Sequence, residues 1–412
     1  MASGIDLQPQ PPHPELLQQA LELGFAGVSV LPLDAGQHPA LEEAGEYLHE
    51  WLAQKRQGRM EYMQRHGSKR WRPGELEPGT LSVIVVQLNY MSLPQSTELN
   101  NDPAAATKKK SGIATGVEAA INQLEDPQAA YISRYALGRD YHKTMRQQLK
   151  KLSQWLETWS RSHDNGPNTD SQYNSRVFAD SAPVMEKALA QAAGLGWIGK
   201  HTLLLNRSQG SWFFLGEVFT NIPAAQLIQP SLEKTTNAAI PTQTLASKNH
   251  CGACSKCIDV CPTQAIVAPY QLDARKCISY LTIENKEAIP IEYRQAIGNR
   301  VFGCDDCQLY CPWNRFAQYA QATDFTPRHN LDTIQLVEAF LWTAAEFDLK
   351  TQGSPIRRTG YQGWIRNIAV GLGNAPTSKA LIQALQQQQT NPDILPIAQE
   401  HIQWALEQHV EW

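Results

Sequence analysis

All eight cysteines of this 412-residue chain lie between positions 251 and 311, and their spacing is typical of metal-binding chemistry. The first group reads Cys251-x2-Cys254-x2-Cys257-x3-Cys261, followed by a proline. This spacing matches the run of thiolates that binds [4Fe–4S] clusters in bacterial electron carriers. Three close, equally spaced thiols let one short loop cover one face of a cubic cluster, and the fourth serves a second cluster.

The second cysteine group lacks one thiol of the same pattern. It reads Cys304-x2-Cys307-x3-Cys311, and Val301 stands where a first cysteine would be. Cys277 is the only thiol left over, and it brings the total to the eight that two clusters need. We therefore predict that Cys251, Cys254, Cys257 and Cys311 bind one cluster and that Cys261, Cys277, Cys304 and Cys307 bind the other.

A pair of zinc sites is the alternative for the same cysteines, since four thiolates also make a structural zinc site. Zinc sites usually take two cysteines, a long loop and two more. Four cysteines within eleven residues and a following proline therefore favour clusters. Such clusters pass single electrons, so the remainder of the chain must contain whatever they reduce.

Composition excludes several classes of protein. Hydrophobic residues make up 42% and charged residues 18%, which is enough apolar material for folded cores and excludes a disordered chain. No apolar run approaches the length of a transmembrane helix, and the first residues lack the features of a signal peptide, so we expect a cytoplasmic location with no membrane partner.

The net charge of −4 hides local basic patches. Lysines and arginines are dense in residues 55–72 and 134–151, and three arginines lie between 357 and 366. Such patches can neutralise phosphates in a mildly acidic protein, although solvated helix faces are the simpler interpretation.

The chain divides into stretches of different pattern. Residues 1–222 mix helical periodicity, including 15–57 and 140–160, with strand-like runs such as 81–90, which predicts an α/β domain with a mobile insertion at about 92–128. A polar linker at 223–248 precedes a ferredoxin-like module at 249–315 that holds the clusters. The pattern of residues 316–412 predicts only helices, one of them at 333–347. Gly371 and Gly373 are expected to interrupt the helices of this region. Paired short helices favour a HEAT-like domain over a plain helical bundle.

Two motifs resemble cofactor signatures without fitting them. Residues 194–200 satisfy G-x-G-x-x-G, but a helix is expected before them and a strand after, the reverse of a dinucleotide site. We interpret them as a glycine-terminated helix and a tight turn, whose close backbone approach also suits a bulky flat ligand. Asp140-x-His142-x-x-Met145 lacks the glycine of the cobalamin motif D-x-H-x-x-G, so His142 is not predicted to bind cobalt.

The chain resembles the epoxyqueuosine reductase family over most of residues 40–375. The stretches that carry the resemblance are 58–63, 69–73, 133–143, 180–186, 194–200, the eight cysteines and 366–374. The resemblance implies that the N-terminal domain binds base-off cob(II)alamin. The positions it implies near this cofactor are Arg70, Ser133, Asp180, Leu204, Leu215 and Asp305.

The resemblance further implies the reaction and its partners. The expected activity is reduction of epoxyqueuosine to queuosine at wobble position 34 of tRNAs with GUN anticodons, those for Asp, Asn, His and Tyr. This two-electron deoxygenation at cobalamin is fed by two [4Fe–4S] clusters. Asp180 is the candidate proton donor, although Asp180 or Ser181 could instead cap the next helix. The basic patches would hold the anticodon stem-loop.

Two other functions are alternatives for this chain. The oligomeric state, the electron donor and the axial ligand of cobalt are separate questions. The alternatives are a reductase similar to corrinoid reductive dehalogenases and a non-catalytic electron-transfer or corrinoid-activating protein. We expect a monomer that takes electrons from an external donor such as a flavodoxin or ferredoxin system. The axial ligand of cobalt is not predicted.

Overall fold

The computed structural model describes residues 11–92, 114–163, 173–229 and 250–409. They group into two compact units. The first unit is drawn from Met1–Lys55, Glu61–Asn89 and His142–Cys254, and the second from Arg56–Met60, Tyr90–Tyr141 and Ser255–Trp412. This division does not follow the three predicted domains, whose boundaries stay predictions. No helix of the described residues combines the length and the apolar character that a membrane crossing needs.

Ten strands and fifteen α-helices are described. The strands are β1 Gly27–Pro32, β2 Ser82–Asn89, β3 Tyr131–Ile132, β4 Ser175–Phe178, β5 Trp197–Ile198, β6 Leu204–Leu205, β7 Phe213–Thr220, β8 Ile266–Ala268, β9 Gln271–Leu272 and β10 Arg300–Phe302. The helices are α1 Pro14–Glu22, α2 Pro39–Ala53, α3 Pro73–Leu76, α4 Ala114–Glu125, α5 Tyr141–His163, α6 Glu186–Ala192, α7 Ala224–Leu227, α8 Lys256–Asp259, α9 Ile291–Ile297, α10 Asp306–Leu309, α11 Leu336–Phe340, α12 Ala344–Lys350, α13 Gly360–Asn374, α14 Lys379–Gln389 and α15 Pro396–Glu407.

The first unit is built on an antiparallel sheet in the order β1-β2-β7-β4. Every residue of β2 is buried, which explains the apolar run at 83–86 within it. On one face, Leu215 of β7 joins a core with residues of α2 and α6. On the other face, Gly216 lies against Met145 and Leu149 of α5. Helices thus cover both faces, and the mixed α/β character is confirmed.

The second unit is centred on α13, in which every residue from Trp364 to Leu372 is buried. A helix that is buried on every side must be enclosed by neighbours. Its core includes residues of α11, α14 and α15 and, from the cysteine-bearing segment, Val301 and Phe302 of β10. The cysteine segment therefore packs on the helical tail within one unit. The HEAT-like character of this tail stays a prediction.

Three local expectations are wrong. Residues 15–57 are not purely helical, because β1 lies between α1 and α2. Residues 333–347 form two helices, since the hydroxyl of Thr343 accepts a hydrogen bond from the backbone N–H of Glu346 and begins α12. Gly371 and Gly373 lie inside α13, where their missing side chains let Leu336 and Trp404 pack closely.

The predicted insertion and linker are only partly described. Residues 93–113 and 230–249 lie outside the described residues. The rest of the insertion carries α4. The start of the linker carries α7, and Ile228 pairs with Pro12 of the first unit.

Candidate active site

Asp180 lies in the first unit, in the loop between β4 and α6. Its φ of 51° falls in the left-handed region, which aspartate adopts more readily than most residues. Its carboxylate Oδ2 lies 2.8 Å from Nε2 of His142, near the start of α5. The N-cap of α6 is Met185, and no side chain caps that helix end, so the capping role considered for Asp180 and Ser181 is not realised. The Asp180 carboxylate is instead paired with an imidazole.

Two more carboxylates, neither of them predicted from the sequence, lie near Asp180. Glu186 at the start of α6 accepts a hydrogen bond from the backbone N–H of Asp180. Glu217 of β7 is fully buried. Burial, with the charges of Glu186 and Asp180, raises the pKa of Glu217 well above its ordinary value. A signal for Glu217 was present, since it is the one charged residue of an otherwise apolar strand.

The pairing of His142 with Asp180 is not predicted from the sequence, because the motif around His142 resembles only a cobalt-binding motif. The two residues are 38 positions apart, and only the fold brings them together. Arg146, one helical turn further along α5, donates a hydrogen bond to the hydroxyl of Ser181 at 2.5 Å. The Asp180 loop is therefore held from α5 by two side chains.

The predicted cofactor positions of the first unit lie in different surroundings. Leu204 and Leu215 are buried in its core. Arg70 donates from Nε to the carbonyl oxygen of Arg65 at 3.1 Å and from Nη2 to that of Tyr62, and burial lowers its pKa. The backbone N–H of Met185 donates to the carbonyl of Arg70 at 3.1 Å, which ties this position to the segment after Asp180.

Two buried polar side chains lie near these leucines with unsatisfied atoms. Gln87 pairs with Leu215 across the sheet, is fully buried, and has no hydrogen-bond partner among the described residues for either atom of its side-chain amide. Nε2 of His201, three residues before Leu204, is likewise without a partner there. Burial lowers the pKa of His201 to about 4, so its imidazole is neutral at pH 7. Buried groups of this kind are normally hydrogen-bonded, and they fit a ligand rich in amides.

The glycine motif at 194–200 serves the chain's own packing. Gly194 has a φ of 80° and ends α6, which confirms the glycine-terminated helix. A side chain on Gly196 would meet the carbonyl of Leu205, and one on Gly199 would lie 2.7 Å from Cδ1 of Leu205. These two glycines let β5 and β6 approach each other, and binding of a flat ligand beside them stays a prediction.

Ser133 and Asp305, the predicted cofactor positions of the second unit, contact each other. The Ser133 hydroxyl donates to Oδ1 of Asp305 at 2.5 Å. Tyr131 and the backbone N–H of Arg134 donate to Oδ2 at 2.9 and 2.7 Å. All of these groups are buried, and Asp305 adjoins Cys304. The three donors fix the position of the loop that carries this cysteine.

The eight cysteines all lie in described residues, and none forms a disulfide. Cys251 and Cys254 belong to the first unit and the other six to the second. Burial raises the pKa of Cys307 well above its ordinary value, and Cys277 and Cys261 add to this shift. The pKa of Cys277 is also raised, first by burial, with a contribution from Cys261. Thiols crowded in this way are held as thiolates only by a bound cation, so this set fits an iron–sulfur cluster.

Among the residues that the structure describes, no three side chains of His, Cys, Asp or Glu are grouped as ligands of one metal ion.

The basic patches contain both exposed and buried side chains. Arg134 and Arg366 are buried, and Arg366 donates hydrogen bonds to the carbonyls of Asn285, Glu287 and Leu281, which makes it structural. Lys143, Arg146 and Lys150 are exposed on α5 at spacings of three and four residues, and so share one helix face.

Comparison with known proteins identifies similar families. A family model described as "Epoxyqueuosine reductase QueG, DUF1730" matches residues 70–181, and one described as "4Fe-4S double cluster binding domain" matches residues 250–314. The chain is 46% identical to the epoxyqueuosine reductase of Pseudomonas aeruginosa over 406 residues, which cover 97% of each chain. It is 44% identical to that of Escherichia coli K12 over 397 residues, covering 96% of this chain and 89% of the other.

Solved structures share the fold. A crystal structure of epoxyqueuosine reductase with an epoxyqueuosine-modified tRNA-Tyr stem-loop matches with a TM-score of 0.74 and 23% identity, covering 96% of this chain and 89% of the other. The Streptococcus thermophilus epoxyqueuosine reductase matches with a TM-score of 0.72 and 23% identity, covering 97% and 90%.

Proposed function

This chain belongs to the epoxyqueuosine reductase family, and on that premise we infer that it reduces epoxyqueuosine to queuosine in tRNA. The observation that carries this function is the 46% identity over 97% of both this chain and a curated reductase. The relatives favour this reaction over a dehalogenase and over a non-catalytic electron carrier. The enzyme is an oxidoreductase that uses two [4Fe–4S] clusters.

The reaction sets what the site must supply. Removing the epoxide oxygen as water and leaving an alkene consumes two electrons and two protons. The clusters deliver electrons one at a time from an external donor, for which a flavodoxin or ferredoxin system is our proposal. We assign Cys251, Cys254, Cys257 and Cys311 to one cluster and Cys261, Cys277, Cys304 and Cys307 to the other. The charge interactions of Cys307 with Cys277 and Cys261, and of Cys277 with Cys261, support the grouping of these three thiols in the second set.

Cobalamin is our proposal for the group that receives these electrons. When bound, it supplies a metal that gathers two electrons and presents them to carbon. The unsatisfied amide of Gln87 and the neutral ring of His201, close to Leu204 and Leu215, support its binding, because the corrinoid rim carries many amides. Arg70, Ser133, Asp180 and Asp305 complete the positions we assign to it.

Asp180 is the proton donor in our proposal. Its carboxylate is partly exposed, at 43% of the side chain, and so is open to a substrate while His142 holds it at 2.8 Å. A Bacillus subtilis epoxyqueuosine reductase structure is described with an aspartate-bearing catalytic loop swung out of its active site. The strained backbone of Asp180 supports the same role for its loop in this chain.

In our proposal the substrate is wobble position 34 of tRNAs with GUN anticodons. The exposed face of α5 contributes to binding the anticodon stem-loop. A related enzyme has been crystallised with such a stem-loop, which supports this partner. Proteins usually recognise RNA sequence in unpaired loops, where bases can be turned outward. We also propose that the protein is a monomer in the cytoplasm, which leaves its substrate surface open.

An anaerobic turnover assay tests the function. Reductant, cobalamin-loaded protein and epoxyqueuosine-containing tRNA should yield queuosine, detected by mass spectrometry of the digested nucleosides. Omitting reductant is the control and should leave epoxyqueuosine unchanged. Turnover of an aryl halide with no queuosine formed would instead support the dehalogenase alternative.

A further inference from the structure

The glycine motif at 194–200 ends in Lys200, and within the first unit this lysine contacts the start of the cysteine segment. Its Nζ donates hydrogen bonds to the backbone carbonyls of Gly252 at 2.7 Å and of Cys254 at 2.9 Å. The backbone N–H of Cys254 donates to the carbonyl of Cys251 at 2.9 Å and closes a turn between these two cysteines. One ammonium group therefore bridges two carbonyls of the turn that carries two of the predicted cluster ligands.

A short hairpin fixes the backbone at Lys200. Strands β5 and β6 pair antiparallel, with Ile198 opposite Leu204, and Lys200 lies in the turn between them. The backbone N–H of Gly199 donates to the carbonyl of Leu203 at 2.9 Å and closes this turn. A lysine side chain loses rotamer freedom when it is held in one place, so it is ordered only where its contacts compensate for that loss. The two carbonyls supply such contacts for Lys200.

The same hairpin meets the cysteine segment at a second point. The ring of Trp197 on β5 lies edge to face with the ring of His250, with centroids 4.6 Å apart and planes at 70°. Aromatic pairs favour this arrangement. Because His250 directly precedes Cys251, the hairpin holds the turn both before its first cysteine and at its second.

The charge of Lys200 matters because a cluster becomes more negative when it is reduced. The cluster takes one electron from its donor, the donor is oxidised by that one electron, and no proton need move. An ammonium group is a compact positive charge, and it stabilises a nearby group that gains negative charge. Net charge is among the factors that set the potential of iron–sulfur clusters. The Cys254 carbonyl that Lys200 contacts is only a few bonds from the Cys254 sulfur.

We propose that Lys200 is a positioning residue for electron transfer, which holds its charge against the turn between Cys251 and Cys254 and so raises the reduction potential of the cluster bound there. This inference rests on the proposed assignment of both cysteines to the first cluster. A higher potential makes that cluster a better acceptor for electrons from the external donor.

An anaerobic redox titration of the full-length, cluster-loaded protein, followed by electron paramagnetic resonance, tests the proposal. Lys200→Gln keeps a hydrogen-bond donor but removes the charge. It should lower the equilibrium constant for reduction of one cluster by about tenfold, a downward shift of about 59 mV for a one-electron couple. Lys200→Met is a second uncharged variant and should shift the potential in the same direction. Lys200→Arg keeps the charge and should stay within about threefold of the unmodified protein.

Arg207→Gln is the matched control in the same unit. Arg207 also carries a positive charge, but its side chain is exposed, so water and salt screen it. This variant should leave both cluster potentials unchanged. An equal shift in Arg207→Gln and Lys200→Gln would overturn the proposal, because any lost charge would then have the same effect.

Cys254→Ala separates the role of Lys200 from the assignment on which it rests. If this variant keeps the iron of both clusters, Cys254 is not a ligand, and the assignment and the inference fail together. If it loses one cluster while Lys200→Gln and Lys200→Met keep the unmodified potentials, only the role of Lys200 is refuted. Loss of a cluster from both uncharged variants would also refute it, since Lys200 would then serve cluster binding and not the potential. None of these measurements uses tRNA, so turnover of epoxyqueuosine is tested separately.

Discussion

At the scale of single residues, Asp180 is the proton donor that we propose, and His142 is the side chain that holds it. The left-handed backbone of Asp180 costs about 1–2 kcal/mol for an ordinary residue, and such strain is characteristic of functional loops. The 2.8 Å contact to His142 and the hydrogen bond from its own N–H to Glu186 hold it in place. Its position is thus determined by α5 and α6 together.

Cys277 offers a test of the ligand assignment. Replacing Cys277 by serine should lower the iron content of anaerobically purified protein to about half, because one of two four-iron clusters loses a thiolate. Iron analysis and electron paramagnetic resonance measure the loss. Ser279→Ala is the control, since Ser279 hydrogen-bonds the Cys277 thiol without being a predicted ligand, and it should keep both clusters. Full iron in Cys277→Ser would contradict the assignment.

The residues of the site differ in how far sequence could predict them. The cysteines are close in sequence, so their spacing alone indicates clusters. Asp180 was selected only through a family resemblance. Its contacts to His142 and Glu186 and its charge interaction with Glu217 depend on how α5, α6 and β7 pack, which no local pattern encodes.

At the scale of elements, regular periodicity predicted most of the long segments. Strand β2 and helix α5 lie where their patterns indicated. The six-residue β1 was missed because helical periodicity on both sides concealed it, and the break before α12 depends on a capping hydrogen bond at Thr343. The pairing of β5 with β6 could not be predicted, since each strand is only two residues long.

Gly196 tests the argument that the glycine loop serves packing. Gly196→Ala should lower the free energy of unfolding by about 1–3 kcal/mol, because its methyl group would meet a backbone carbonyl that cannot move aside. Thermal unfolding measures the loss. Gly27→Ala is the matched control in the same unit: its methyl group would meet the end of the Gln87 side chain, 2.6 Å away, which can rotate. Equal stability of the two variants would contradict the explanation.

At the scale of the whole molecule, net charge is a poor guide to partners. The value of −4 averages an exposed basic face on α5 with acidic residues elsewhere. Sequence also could not separate surface arginines from structural ones, since Arg134 and Arg366 lie in basic stretches but are buried.

Salt dependence tests the role of α5 in tRNA binding. The double variant Lys143→Gln and Lys150→Gln should weaken binding and reduce the slope of log affinity against log salt by about 1–2, because two phosphate contacts are lost. Filter binding at several salt concentrations measures both effects. Arg161→Gln on the same helix is the control, since Arg161 is paired with Glu157 at 2.6 Å. An unchanged slope in the double variant would assign tRNA binding to another surface.

The most direct test of the central claim is a single-turnover comparison of the unmodified enzyme with Asp180→Asn. Both proteins, loaded with clusters and cobalamin, are mixed anaerobically with reductant and epoxyqueuosine-containing tRNA, and queuosine is counted by mass spectrometry. We predict a rate about 10² to 10⁴ times lower for Asp180→Asn, with tRNA and cobalamin binding unchanged. Queuosine formation at the unmodified rate would contradict the account.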